Sequence, residues 1–188
     1  MKAIGQMSLE ELAAFVCQTL ADSGITVTLT GGGCVTIWSE GRYVSHDLDF
    51  IEEGPVPRKK VQEALSELGF TPSGRHFIHP DTTFFIEFPS GPLMVGDQRV
   101  QRASRRKTSA GTLRLLTPTD CVKDRLAAFF HWSDRQSLEQ ALLVANAQRI
   151  NLADIRRWSK GEGHEEKFQV FQQTLRQQKS LKRRRPKR

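Results

Sequence analysis

Long apolar runs are what this 188-residue chain lacks most plainly. No stretch approaches the roughly 20 apolar residues that span a bilayer, so no membrane partner is expected. The opening residues, Met1-Lys2-Ala3-Ile4-Gly5-Gln6, contain no apolar h-region and read as free of a signal peptide. Cysteine is scarce as well. Cys17, Cys34 and Cys121 are odd in number and widely spaced, which excludes a disulfide framework and a zinc pattern and favours a reducing cytoplasm. No internal repeat is visible. A hydrophobic content of 38% with 26% charged residues is that of an ordinary globular protein, with enough chain for one substantial core or two small lobes.

Charge is unevenly distributed along the chain. Residues 1–98 hold 6 Lys and Arg against 13 Asp and Glu, a net of −7, whereas residues 99–188 hold 22 against 8, a net of +14. An acidic half suited to a cation is joined to a basic half suited to a polyanion, and that asymmetry points to nucleic acid.

The pattern of elements predicts an α+β first half and a helical second half. Ser8-Leu9-Glu10-Glu11 has the form of a capping box, followed by Leu12, Ala13, Val16 and Leu20 at helical spacing up to Ala21. Ile25 to Leu29 reads as a strand, Cys34 to Trp38 as a short helix, Leu48 to Ile51 as a second strand, and Val61 to Leu68 as a helix ended by Gly69. Strands are expected around Arg75–Ile78, Thr82–Phe88 and Thr112–Leu116. Thr117-Pro118-Thr119-Asp120 then starts a helix, Ser133-Asp134-Arg135-Gln136 resembles a second capping box, and Asn151 starts a further helix. The expected domains are residues 1–116 (a mixed β-sheet with flanking helices), 117–180 (a helical lobe) and 181–188, a basic tail too charged to pack.

Chemistry concentrates in Gly31-Gly32-Gly33 and in Ser45-His46-Asp47-Leu48-Asp49. Residues i and i+2 of a strand share a face, so Asp47 and Asp49 project side by side. Like charges that close repel unless a cation lies between them, and hard divalent cations take carboxylate oxygens. A glycine turn lets backbone N–H groups approach a phosphate without an intervening Cβ. Glu87, on a strand otherwise rich in Phe and Ile, is the candidate third acid; a solvent-facing edge position is the alternative. His46 is expected in the core on the opposite strand face, with orientation of a carboxylate as its alternative. Trp132 and Trp158 read as core aromatics, with stacking on a base as theirs.

Glycine turn, Asp-x-Asp and a later acidic strand together resemble the nucleotidyltransferase superfamily that includes DNA polymerase beta. Residues 29–51 are most similar to minimal bacterial members, including abortive-infection toxins of type IV toxin–antitoxin systems, where Gly-Gly is followed by Ser-x-Asp-x-Asp. Leu116-Thr117-Pro118-Thr119-Asp120-Cys121-Val122-Lys123 resembles their Pro-x-Asp helix start with its following Lys. The likeness spans about residues 10–145; the extra Gly33, the Tyr43-Val44 spacing and Glu in place of Asp as third acid depart from it.

The resemblance implies a nucleotidyltransferase-like mixed sheet and an enzyme that moves a nucleoside monophosphate from an NTP to an acceptor hydroxyl with Mg²⁺ or Mn²⁺. Asp47, Asp49 and Glu87 would be catalytic and metal-binding, and Gly31, Gly32, Ser45 and Lys123 would hold the nucleotide. Asp134 matches an acid on the following helix. Two alternatives stay open: Lys123 as a solvated residue paired with Asp120 or Asp124, and Asp134 as an acid offsetting a helix dipole. The basic half favours RNA, such as a tRNA 3′ end, as acceptor, with Lys182, Arg183, Arg184 and Arg185 contacting it, and a cognate antitoxin or toxin protein as a further partner. The rival functions are a protein-modifying enzyme of antitoxin type and a catalytically silent RNA- or partner-binding module.

Overall fold

The computed structural model describes residues 2–184. The first half is built from α1 (Leu9–Asp22), β1 (Val27–Leu29), α2 (Gly31–Trp38), β2 (Asp47–Glu52), α3 (Arg58–Ser66), β3 (Thr71–Ser73), β4 (His76–Ile78), β5 (Phe85–Glu87), β6 (Met94–Val95), β7 (Gln98–Arg99), β8 (Ala103–Thr108) and β9 (Gly111–Leu116). Four helices follow: α4 (Pro118–Trp132), α5 (Arg135–Ala147), α6 (Leu152–Gly161) and α7 (Glu165–Arg184). The chain is thus α+β, as its patterning predicts.

Seven strands form one mixed sheet in the order β3-β4-β5-β2-β1-β9-β8, and β6 and β7 pair by themselves. β2 lies antiparallel to β1 and parallel to β5, while β1 lies parallel to β9. Period-two alternation sorts the central strands: Leu29, Leu48, Phe50, Phe77 and Ile86 are fully buried, and Asp47, Asp49 and Glu87 lie on the opposite face. α1 lies across β1 and β9 and packs on α3, and α2 leads from the sheet to α4 and α5. Among the described residues no helix is long and apolar enough to cross a membrane.

Local chemistry explains the helix starts. Ser8 Oγ accepts from the Glu11 amide at 3.2 Å and the Glu11 carboxylate accepts from the Ser8 amide at 3.0 Å, which completes the capping box. Thr117 caps α4 with Pro118 in the first turn, and Asn151 caps α6. The second expected capping box is displaced by one residue. Ser133 adopts φ +53° as the C-cap of α4, so Asp134 becomes the N-cap of α5.

Two differences concern charge. β8, whose sequence is Ala-Ser-Arg-Arg-Lys-Thr, shows no apolar alternation and escapes a pattern reading, because it is an edge strand whose exposed cations discourage further pairing. Helix α7 runs to Arg184, so Lys182, Arg183 and Arg184 are helical where a disordered tail is expected; Arg185 lies outside the described residues.

Candidate active site

The glycines are the first turn of α2 rather than a loop before it. Gly31 has φ +58°, a left-handed conformation that L side chains resist. A Cβ there would overlap Asp49 Oδ2. At Gly32 a Cβ would lie 2.7 Å from Ser45 Oγ, and at Gly33 2.9 Å from the Asp47 carbonyl oxygen. All three positions therefore let the turn press against the Ser45–Asp49 segment, and the third glycine is needed for that contact. The Thr30 amide donates to the Asp49 carbonyl at 2.8 Å, which extends the β1–β2 ladder to the turn. Thr30 provides no side-chain cap, so the first-turn amides of α2 have no partner there and carry the positive end of the helix dipole.

Ser45 fastens the other side. Its amide donates to Thr36 Oγ1 at 2.9 Å and its hydroxyl accepts from the Asp47 amide at 3.3 Å. This serine is buried against Gly32, so it positions β2 as well as facing the turn.

Asp47 and Asp49 come together on one face of β2, as the i, i+2 spacing requires. Burial, then the neighbouring Asp47, then Glu87 push the Asp49 carboxyl up to about 6, with Arg125 pulling the other way. Glu87 is the register partner of Asp49 on β5. Its carboxylate is engaged from the start of β4: Nε of Arg75, in the turn just before the strand, lies 3.1 Å from Oε1, and His76 Nδ1 lies 3.5 Å from Oε2 without hydrogen-bond geometry. Among the described residues no group of three or more His, Cys, Asp or Glu is disposed to hold one ion. The expected three-acid cluster thus resolves into a close pair, Asp47 and Asp49, with Glu87 beside them in a cationic setting of its own. Asp47 and Asp49 are the residues that would hold a hard divalent cation, whose preferred ligands are carboxylate oxygens.

Lys123 does not meet the glycine turn. It is 3% exposed, with its ammonium 2.7 Å from Asp154 Oδ2, 3.8 Å from Asp120 Oδ1 and donating to Gln98 Oε1 at 3.2 Å. Burial works against ionisation of Asp154, but the Lys123 hydrogen bond and charge hold its carboxyl below the usual range. Of the two expected partners Asp120 lies near Lys123 and Asp124 pairs with Arg125 instead, while Asp154, which was not expected, makes the closest contact. Asp134 caps α5, accepting from the Gln136 amide at 2.9 Å and from Ser137 Oγ at 2.7 Å.

The cation acting on Asp49 is Arg125, which the sequence reading missed. Residues i and i+2 on a helix are about 200° apart, so Lys123 and Arg125 leave α4 in nearly opposite directions. Arg125 Nε donates to Asp124 Oδ2 at 2.9 Å, and its NH1 reaches Gln140 Oε1 of α5 at 3.4 Å. Arg125 lies one turn after the buried Cys121 and next to the buried Leu126 on α4, and that i, i+4 spacing is the signal that could have found it.

Two aromatic expectations change. His46 is exposed rather than in the core, with its ring centroid 5.8 Å from that of Phe84 and Nδ1 3.4 Å from Thr83 Oγ1. Trp132 is 78% exposed, whereas Trp158 is buried and donates its indole N–H to the Val95 carbonyl at 3.2 Å.

No family model matches the chain, and no curated protein matches it in sequence. A similar solved structure is the solution structure of the antibiotic-resistance factor ANT(2'')-Ia, 11% identical, with 92% of this chain and 93% of that chain covered at a TM-score of 0.46.

Proposed function

We propose that this chain is a nucleotidyltransferase that moves a nucleoside monophosphate from an NTP to an acceptor hydroxyl, preferably at an RNA 3′ end such as that of tRNA. The observation that carries the reading is the turn-and-acid unit: two carboxylates held together on β2, pressed by three glycines against an uncapped helix start. Crowded like charges of this kind are costly to maintain without a ligand, and amides at a helix N-terminus suit a phosphate. Asp47 and Asp49 would hold Mg²⁺ or Mn²⁺. When bound, that ion neutralises phosphate charge and lowers the barrier to attack on phosphorus.

The chain's own residues supply the rest. Amides of Gly31 and Gly32 receive triphosphate oxygens, with the Ser45 hydroxyl lying against the turn. Arg125 offsets negative charge beside Asp49. In the transfer, the acceptor hydroxyl oxygen forms a bond to the α-phosphorus as the bond to pyrophosphate breaks. Glu87, paired with Arg75, accepts the hydroxyl proton. The basic residues after 98 supply the attraction for an RNA acceptor, and the family resemblance adds a cognate antitoxin or toxin protein as partner.

The test is to incubate the protein with each labelled NTP in the presence of total RNA and total protein. Label is expected on RNA, and Asp47→Asn should reduce it by at least roughly 10²–10³-fold. Label appearing on protein alone, or undiminished labelling by the variant, would overturn the reading.

A further inference from the structure

A cleft of about 920 Å³ opens further along the sheet face that carries the carboxylates. Its floor includes Glu53, the residue after β2. Asp47, Asp49 and Ile51 share one face of β2, and Glu53, the first residue beyond the strand, lies about 13 Å past Asp49 at strand spacing. Thr28, in register with Ile51 of that same face, confirms the direction by donating to Glu53 Oε1 at 2.8 Å.

The charges of the cleft do not cancel. Arg114, from β9, forms an ion pair with Glu53. Burial opposes the charge on Glu53, yet Arg114 and Thr28 hold its carboxyl below the usual range, so the acid on the floor is ionised and answered. Glu52 also lines the cleft, so the cleft's two acids stand against three guanidinium groups, Arg99, Arg102 and Arg114. Arg99, the last residue of β7, and Arg102, in the segment joining β7 to β8, line the wall, are exposed, and form no ion pair among the described residues. The uncompensated charge is thus positive and planar. Guanidinium forks of this type match phosphate oxygens in pairs.

The remaining walls narrow the ligand. Pro55 and Pro57 stand on one lip and Pro89 and Pro92 on the other, giving a stiff rim with no N–H donors at those positions. Among the described residues no aromatic side chain lines the cleft, so they offer no platform on which a base could stack. A ligand here is held by its backbone. We propose that the cleft takes the sugar–phosphate backbone of single-stranded RNA a few nucleotides before the acceptor hydroxyl, with Arg99 and Arg102 on phosphate oxygens. This rests on the RNA-acceptor reading above. A strand lying in the cleft runs along the face of β2, so that its end reaches Asp47 and Asp49.

Fluorescence anisotropy of a labelled oligoribonucleotide without NTP, between 50 and 200 mM salt, tests the claim. The double variant Arg99→Glu/Arg102→Glu should bind at least tenfold more weakly, with its logarithmic salt dependence shallower by roughly 1.4, or about 0.7 for each lost phosphate contact. Thermal melting should be unchanged, because both side chains are exposed. Unchanged affinity and slope in the variant, with wild-type protein still labelling RNA, would overturn the cleft and leave the acceptor reading standing. No RNA affinity in wild-type protein would overturn both. Displacement of RNA by polyglutamate at matched charge would identify an acidic-polypeptide groove and overturn the assignment.

Discussion

The Asp47–Asp49 pair and the Lys123–Asp154 pair treat buried charge in opposite ways. Asp154, Asp120 and the Gln98 amide oxygen all answer the Lys123 ammonium, which is closed to solvent. At β2 two carboxylates are crowded together, Glu87 adds to the negative field, and Arg125 only partly offsets it. A set of charges satisfied within the protein serves the structure, whereas one left in mutual repulsion is arranged for something that arrives from outside. The loss of transfer in Asp47→Asn is the largest effect expected on the second set.

Breaking the first set should cost stability rather than chemistry. Lys123→Met leaves Asp120 without its cation and Asp154 with only the exposed Arg157. Removal of one partner of a buried pair costs about 3–5 kcal/mol, reduced here to about 2–3 kcal/mol because Asp154 is partly solvated. Urea denaturation should show that loss. A variant of unaltered stability with a raised KM for NTP would instead place Lys123 on the nucleotide.

Asp49 sharpens the contrast by its sign. Its folded pKa of about 6 lies above the ordinary 3.8, so the folded state holds the proton more tightly than the unfolded chain. The group therefore lowers stability as pH rises through about 4 to 6, and the penalty is complete above 6. Asp49→Asn, in chelator, should be more stable than wild type at pH 7 by on the order of 2 kcal/mol and close to it at pH 4. Equal stability of the two proteins across that range would show that the carboxylates are not in conflict.

The smallest expected effect falls on Asp134. Asp134→Ala should lose about 1 kcal/mol by removing the cap of α5 and leave transfer unchanged. Impaired transfer at unaltered melting temperature would return this acid to the reaction.

Features carried by neighbouring residues were readable directly. The capping box at Ser8, the Thr117-Pro118 start and the shared face of Asp47 and Asp49 depend on spacings of two or three residues. Features that depend on distant packing were not. Helix α4 could turn either Lys123 or Arg125 toward the carboxylates, and the choice is made by α6, which brings Asp154 to Lys123, and by α5, which brings Gln140 to Arg125. Glu87 was found as an acid on a strand, but Arg75 and His76 reach it only because β4 pairs with β5. Trp132 follows the apolar run of α4 in sequence yet ends exposed, because Ser133 turns left-handed immediately after it. β8 was invisible because an edge strand has no need of apolar alternation.

The overlap between a would-be methyl group at Gly31 and the Asp49 carboxylate makes turn and acid inseparable. A substitution at either place is judged by the other, so drift can explore this corner only through paired changes. Anyone transplanting the motif into a different scaffold must carry both segments, at their native separation, or lose the shape that either one has alone.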